Sequence, residues 1–203
     1  MAIGDAYATA AQYKEQRDKT SAADDTALTR ELMAVSRMID RTLGRPAGFN
    51  KDASAVARVF ATRWNDAILD VDDYVSISAI GIDADYTGVY DTALVVADWE
   101  SLPLNSAAGP EPRPYNQIRL LPWRSRTLWT PSERVQVTAI WGWPTVPSAI
   151  VAATIELTAI LRMESPRATN RITEMNQVIG TSRAAQNILA ELMDAYKTLP
   201  VFA

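Results

Sequence analysis

The chain has 203 residues, 48% of them apolar and 22% charged, with 8 Gly and 11 Pro; this excludes a fibrous repeat or a disordered chain and is long enough to bury a core of its own. Twenty basic residues against 24 acidic ones leave a formal charge of −4, so the chain as a whole is no neutraliser of nucleic acid. It has neither Cys nor His, which removes disulfides, thiolate and imidazole metal sites, cysteine nucleophiles and Ser-His-Asp triads. Residues 1–10 carry no basic segment followed by an apolar one, so no secretory signal is expected. The apolar run from Ala149 stops at Glu156, too short to span a bilayer, and no membrane is expected as a partner.

Alanines, Tyr7, Tyr13 and charges predict a short helix over 5–17. Ser21-Ala-Ala-Asp24 fits a capping box for the next helix, 24–43. In that helix Leu28, Leu32, Val35, Ile39 and Leu43 form one apolar stripe, closed by Gly44 and Pro46. From about residue 55 the period falls to two. Short strands are predicted at 56–60, 68–71, 75–82, 92–99, 115–121 and 134–141, with Pro-rich connections and all six tryptophans in this stretch. Helix returns at Pro147 and runs to about 164 with a wide apolar face. Residues 165–182 read as a polar, aperiodic, mobile linker, followed by a last helix over 182–197 and an apolar tail, Leu199-Pro200-Val201-Phe202. The expected fold is therefore α+β, a bundle of about four helices with an antiparallel β-rich insertion between the second and third. The expected divisions are 1–50, 51–146 and 147–203.

Charge is unevenly placed. Residues 66–100 hold nine carboxylates and no Lys or Arg, while 113–134 hold Arg113, Arg119, Arg124, Arg126 and Arg134 against Glu133 alone. Pairing of the two stretches, within one copy or between copies, is expected to outweigh any acid–base pair of a glycosidase. Asp83-Ala-Asp85-Tyr-Thr87-Gly88 with Asp91 imitates the start of a calcium loop, but position 12 is Leu94 and strands flank it, so a polar hairpin turn is the better reading. Trp123, Arg124, Arg126 and Trp129 have the makings of a base-stacking platform; protein interfaces use the same residue types. No glycine-rich phosphate loop, HExxH or GxSxG occurs.

Several phrases, taken in order, resemble the head–tail connector (adaptor) proteins of long-tailed bacteriophages. They are Tyr7-Ala-Thr with Tyr13-Lys, Thr20-Ser-Ala-Ala-Asp-Asp, Leu32-Met-Ala-Val-Ser-Arg-Met-Ile-Asp40 running into Leu43-Gly-Arg, Leu102-Pro-Leu-Asn105, Pro114-Tyr-Asn-Gln-Ile-Arg119, and Val135-Gln-Val-Thr138 ahead of Trp141-Gly-Trp-Pro144. The resemblance implies a structural virion protein with no reaction, cofactor or metal, assembled in the host cytoplasm. About twelve copies would form a ring in the neck, below the portal, and continue the DNA channel towards the stopper and tail. Implied partners are the portal protein, a stopper or tail-completion protein and other copies of the chain; genomic DNA would pass through without specific binding. The family's portal-docking C-terminal segment corresponds here to the last helix and Leu199, Pro200, Val201 and Phe202. In such a ring Arg113, Arg119, Arg124 and Arg126 are expected between subunits. Asp83, Asp85 and Asp91 are expected to line the channel, because an acidic lumen does not grip phosphates. A stopper or tail-completion protein, and more distantly a glycan-binding β module, are the alternatives.

Overall fold

The computed structural model describes residues 5–18, 24–45, 47–62, 66–124, 126–131, 133–164 and 171–196. The chain is α+β and divides into two compact units, residues 1–50 with 146–203, and residues 51–145.

The first unit is helical. Helix α1 (Ala10–Gln16) opens on a capping box: Thr9 Oγ1 accepts the Gln12 N–H at 3.2 Å and Gln12 Oε1 accepts the Thr9 N–H at 2.8 Å. Helix α2 (Asp25–Thr42) buries Leu28, Leu32, Val35 and Ile39, the stripe read from the sequence. Its expected cap differs. Asp24 is the N-cap and makes no side-chain cap bond, and Lys14 of α1 pairs with Asp25 instead; Ser21 to Ala23 lie outside the described residues. At the other end Gly44 (φ +66°) completes a Schellman turn, with Gly44 N–H donating to Arg41 O and Arg45 N–H to Asp40 O.

Helix α3 (Ser148–Glu164) is the hub of the unit, touching α2 and the two helices that follow. It buries Ile150, Ile155, Leu157 and Leu161 together with Thr154 and Thr158, whose hydroxyls donate to backbone carbonyls four residues back. The expected linker is largely a helix. Residues Arg171–Thr181 form α4, with Met175 and Ile179 buried, and α5 (Arg183–Tyr196) buries Ala185 and Leu192. An i, i+4 apolar pair, enough for one turn of contact with α3, was hidden by the polar residues around it. Residues 165–170 and the tail Leu199 to Phe202 lie outside the described residues.

A polar network fixes the chain entry and the end of α2. Tyr7 donates its hydroxyl to Asp40 and accepts the Phe49 N–H at 2.9 Å, while Arg37 reaches Asp40 at 3.1 Å. Gly48 (φ +70°) lies beside this network, where a Cβ would fall on the Tyr7 hydroxyl. Phe49 in turn packs edge-on to Tyr196 of α5, and Arg45 Nε donates to Tyr196 O at 2.7 Å. Burial, followed by the Asp40 carboxylate, raises the Tyr7 pKa well above the ordinary tyrosine value. Above about pH 10 the unfolded chain releases a proton that folded Tyr7 keeps, so stability falls as pH rises through that range, by up to about 1.4 kcal/mol per pH unit. Tyr7→Phe is expected to flatten this alkaline limb, read as the urea midpoint of the helical unit between about pH 8 and 11.

The second unit is an antiparallel sheet of six strands, β1 (Val56–Ala61), β2 (Ile68–Asp83), β3 (Thr92–Leu94), β4 (Trp99–Leu102), β5 (Tyr115–Leu120) and β6 (Arg134–Trp141), in the order β1-β6-β2-β5-β4 with β3 on β2. The two strands expected at 68–71 and 75–82 are one strand. Register shifts between Asp70 and Tyr74, Tyr74 and Ser76, and Ile77 and Ala79 let β2 pair β5 with its first half, β3 with its end and β6 along 74–83. The strand expected over 92–99 is instead β3, a 3-10 turn at Val96–Asp98 and β4. Trp129, Trp141, Tyr74, Ile82, Ile118 and Val137 are at the centre of the core. Trp141 Nε1 donates to Val56 O at 2.7 Å, and Arg58 covers its ring at 4.6 Å.

Candidate functional site

The charged stretches of the sequence fall on the sheet unit, and the structure sorts them. Glu100 on β4 stands opposite Arg119 on β5, and the two pair across the strands. Arg126 pairs with Glu133, whose carboxylate also accepts the Thr130 N–H at 3.1 Å. Arg119 and Arg126, expected between subunits, thus each have an ion-pair partner within their own chain. Arg113 and Arg124 are exposed and make no ion pair among the described residues.

The acidic stretch is mostly spent locally. Asp72 takes Arg58 at 2.7 Å, Asp70 accepts from Gln117 at 2.7 Å, and Asp73 from Trp143 Nε1 at 2.9 Å. Glu100–Arg119 is an ion pair that joins the two stretches. Asp83 is fully buried, its oxygens accepting the Thr87 N–H at 3.1 Å and the Gly88 N–H at 3.0 Å. Asp83, expected on a channel wall, is thus buried within its own chain, where its carboxyl oxygens hold the β2–β3 loop closed. Asp85 and Asp91 are exposed on the same loop. The Thr87 hydroxyl, 2.9 Å from Asp85, is the main cause of a carboxyl pKa below the usual range. Gly88 (φ +81°) turns the hairpin, and Arg134 lies over the Tyr86 ring at 4.7 Å. No group of three acidic, His or Cys side chains is arranged to hold a metal among the described residues.

The aromatic and arginine platform also divides. Trp129 is 1% exposed and belongs to the core, whereas Trp123 is 95% exposed. Trp123 has φ +76°, a conformation that costs a bulky residue about 1–3 kcal/mol and is a reason to look for function there. Next to its turn, Leu121 N–H donates to Asp98 O at 2.8 Å. This joins it to the 95–98 segment, where Val95 and Val96 are also exposed. Sequence reasoning listed Trp123 but missed the two valines, because alternating apolar residues before Trp99 read as a continuous strand. An open hollow of about 560 Å³ is lined by Ala67, Glu100, Arg119, Leu120, Leu121, Pro122 and Thr127. The proposed portal-docking residues Leu199, Pro200, Val201 and Phe202 lie outside the described residues, and no described helix is long and apolar enough to cross a membrane.

No family model matches the chain. No curated protein matches it by sequence. Solved structures do share its fold. One is a chain from the virion of a native gene transfer agent (GTA) particle, 19% identical, with a TM-score of 0.51 over 100% of this chain and 98% of that one. Another is a chain from the neck of an empty GTA particle computed with C6 symmetry, 17% identical, with a TM-score of 0.50 over 86% of this chain and 92% of that one.

Proposed function

We propose that this chain is a structural, non-enzymatic neck protein of a phage-like particle, an adaptor whose copies form a ring below the portal and carry the DNA channel towards the stopper. The observation that carries this reading is a fold shared end to end with a particle chain, both units included. A second chain of the same fold comes from a neck with cyclic symmetry, and closed rings of identical heterologous contacts are how such symmetry is built. The ordered phrases of the sequence support the same role.

Within that ring, Arg113 and Arg124 are two exposed cations without an ion pair among the described residues and are the ones offered to a neighbour, and Asp85 and Asp91 are two exposed carboxylates offered to a lumen that must not hold DNA. Reversing both arginines to Glu is expected to weaken joining of copies about tenfold or more, most strongly at low salt where screening is least. Native mass spectrometry across an ionic-strength series reads this, and equal assembly at every salt concentration would remove the two arginines from the interface.

The portal contact rests on Leu199, Pro200, Val201 and Phe202. One such tail binds weakly, while a ring of them binds through effective concentration. Deleting 199–203 is expected to leave the circular dichroism spectrum unchanged and to abolish stable capture by purified portal rings. Capture of the truncated chain at wild-type strength would assign the portal contact elsewhere. Binding only at the far side of an adaptor already in place would assign the chain as a stopper.

A further inference from the structure

We infer that the junction 45–50 is a latch on the last turn of α5, so that the end of that helix and the chain's approach to the sheet unit are held, and let go, together. Helix α5 does little to secure its own end. Its fully buried residues are Ala185 and Leu192, and of the four residues after Leu192 two are exposed and two half-buried. Its last turn has no basic residue, while Glu191 and Asp194 put negative charge near the negative end of the helix dipole. The last carbonyls of any helix also have no partner within it. What this helix end lacks, the junction supplies.

Arg45 Nε donates to Tyr196 O at 2.7 Å, which satisfies a terminal carbonyl and brings a cation to the end of the dipole that favours one. The same guanidinium lies over the Phe49 ring, 5.3 Å from its centre. Phe49 is fully buried and meets two tyrosines edge-on, Tyr7 and Tyr196, each with ring centroids 5.7 Å away. Its N–H donates to the Tyr7 hydroxyl at 2.9 Å, and the Tyr7 N–H donates to Ser36 Oγ of α2 at 3.0 Å. Asn50 Nδ2 adds a bond to Asp5 O at 2.9 Å. One short segment therefore ties the N-terminal residues and α2 to the end of α5.

The place of the latch in the chain gives it a use. The sheet unit begins at residue 51, directly after the junction, and the C-terminal tail follows directly after Tyr196. Unwinding the last turn of α5 takes away the acceptor of Arg45 and one of the two rings against Phe49. Displacing 45–50 takes away the cap of α5. Such a coupling is reciprocal, since each end stabilises the other by the same free energy. The two states are a closed last turn and a locally unfolded one, the kind of small opening that proteins make without global unfolding. A closed latch fixes where the tail leaves the helix and so lowers the ordering cost of docking it. That use rests on the neck reading, whereas the latch itself does not.

Native-state amide exchange of the full chain tests the latch with no portal present. Arg45 is only half-buried, so Arg45→Ala should fold. It is expected to quicken exchange over 193–196 about tenfold or more, while amides over 153–161 in the middle of α3 keep their rates. Arg41→Ala, which removes a nearby exposed arginine, is expected to change neither. Adding Asp194→Lys to Arg45→Ala puts a cation on the helix itself and is expected to slow exchange over 193–196 again. In the reverse direction, Tyr196→Ala is expected to quicken exchange of the Phe49 amide. Unchanged exchange over 193–196 in Arg45→Ala overturns the latch, as does quickening that is equal over 153–161. A Phe49 amide unmoved by Tyr196→Ala overturns the coupling between the two ends. The portal reading fails separately, through capture of the chain truncated at 199, and that result would leave these exchange rates as they are.

Discussion

Arg162→Ala is expected to destabilise the helical unit by about 3–5 kcal/mol, the usual loss when one partner of a buried ion pair is removed. Arg162 near the end of α3 donates to Glu31 of α2, which is only 2% exposed, and the guanidinium also lies 5.8 Å from the centre of the Tyr13 ring of α1. One side chain thus bridges three helices. Without it the buried Glu31 carboxylate loses the guanidinium that compensates its burial, which costs free energy. The double variant Glu31→Met, Arg162→Met is expected to recover most of the loss, because similar volume refills the seam with no charge to desolvate. Urea unfolding of the three variants reads the difference, and a cost below about 1 kcal/mol for Arg162→Ala would mean that the pair behaves as a surface bridge.

Trp141→Ala is expected to cost the sheet unit about 3–5 kcal/mol by deleting a large, buried core side chain. Trp141 is 1% exposed and packs on Phe60 and Tyr74, with ring centroids 5.5 and 6.2 Å away. Its Nε1–H is the side-chain link to Val56 O on the edge strand β1, so the substitution also strands a carbonyl. Trp141→Phe keeps most of the apolar volume and isolates that hydrogen bond, at an expected cost of about 1–3 kcal/mol. Backbone amide exchange over residues 56–61 is the sensitive measurement. It should quicken more in Trp141→Phe than exchange over 76–82, because β1 pairs only with β6 while β2 is held on both sides.

Elements whose signal is local were legible in the sequence. The α2 stripe from Leu28 to Ile39, the Gly44 stop and the alternating burial of β6 all follow from spacing, as does the change from helix to sheet and back. The excess of Arg in 113–134 was equally plain, but which arginines are free was not. Arg119 is paired because β4 lies beside β5, and Arg126 because its loop folds back on Glu133; strand order and loop closure are not written in composition. Helix α4 escaped notice for the opposite reason. Met175 and Ile179 gain their value from the neighbouring α3, not from a strong periodicity of their own.

The sequence by itself determined the chemistry that is absent, the two structural regimes and the helices with continuous apolar faces, since counting and periodicity depend only on residue type and order. Tertiary structure alone decided how charge and aromatic surface are used. Asp83 and Asp85 are two residues apart, yet one is sealed beneath a hairpin and the other stands in water. Trp123 and Trp129 look equivalent in the chain, yet only Trp129 faces the core. Burial of a polar or aromatic side chain depends on partners brought together from distant segments, and a local pattern carries no record of them.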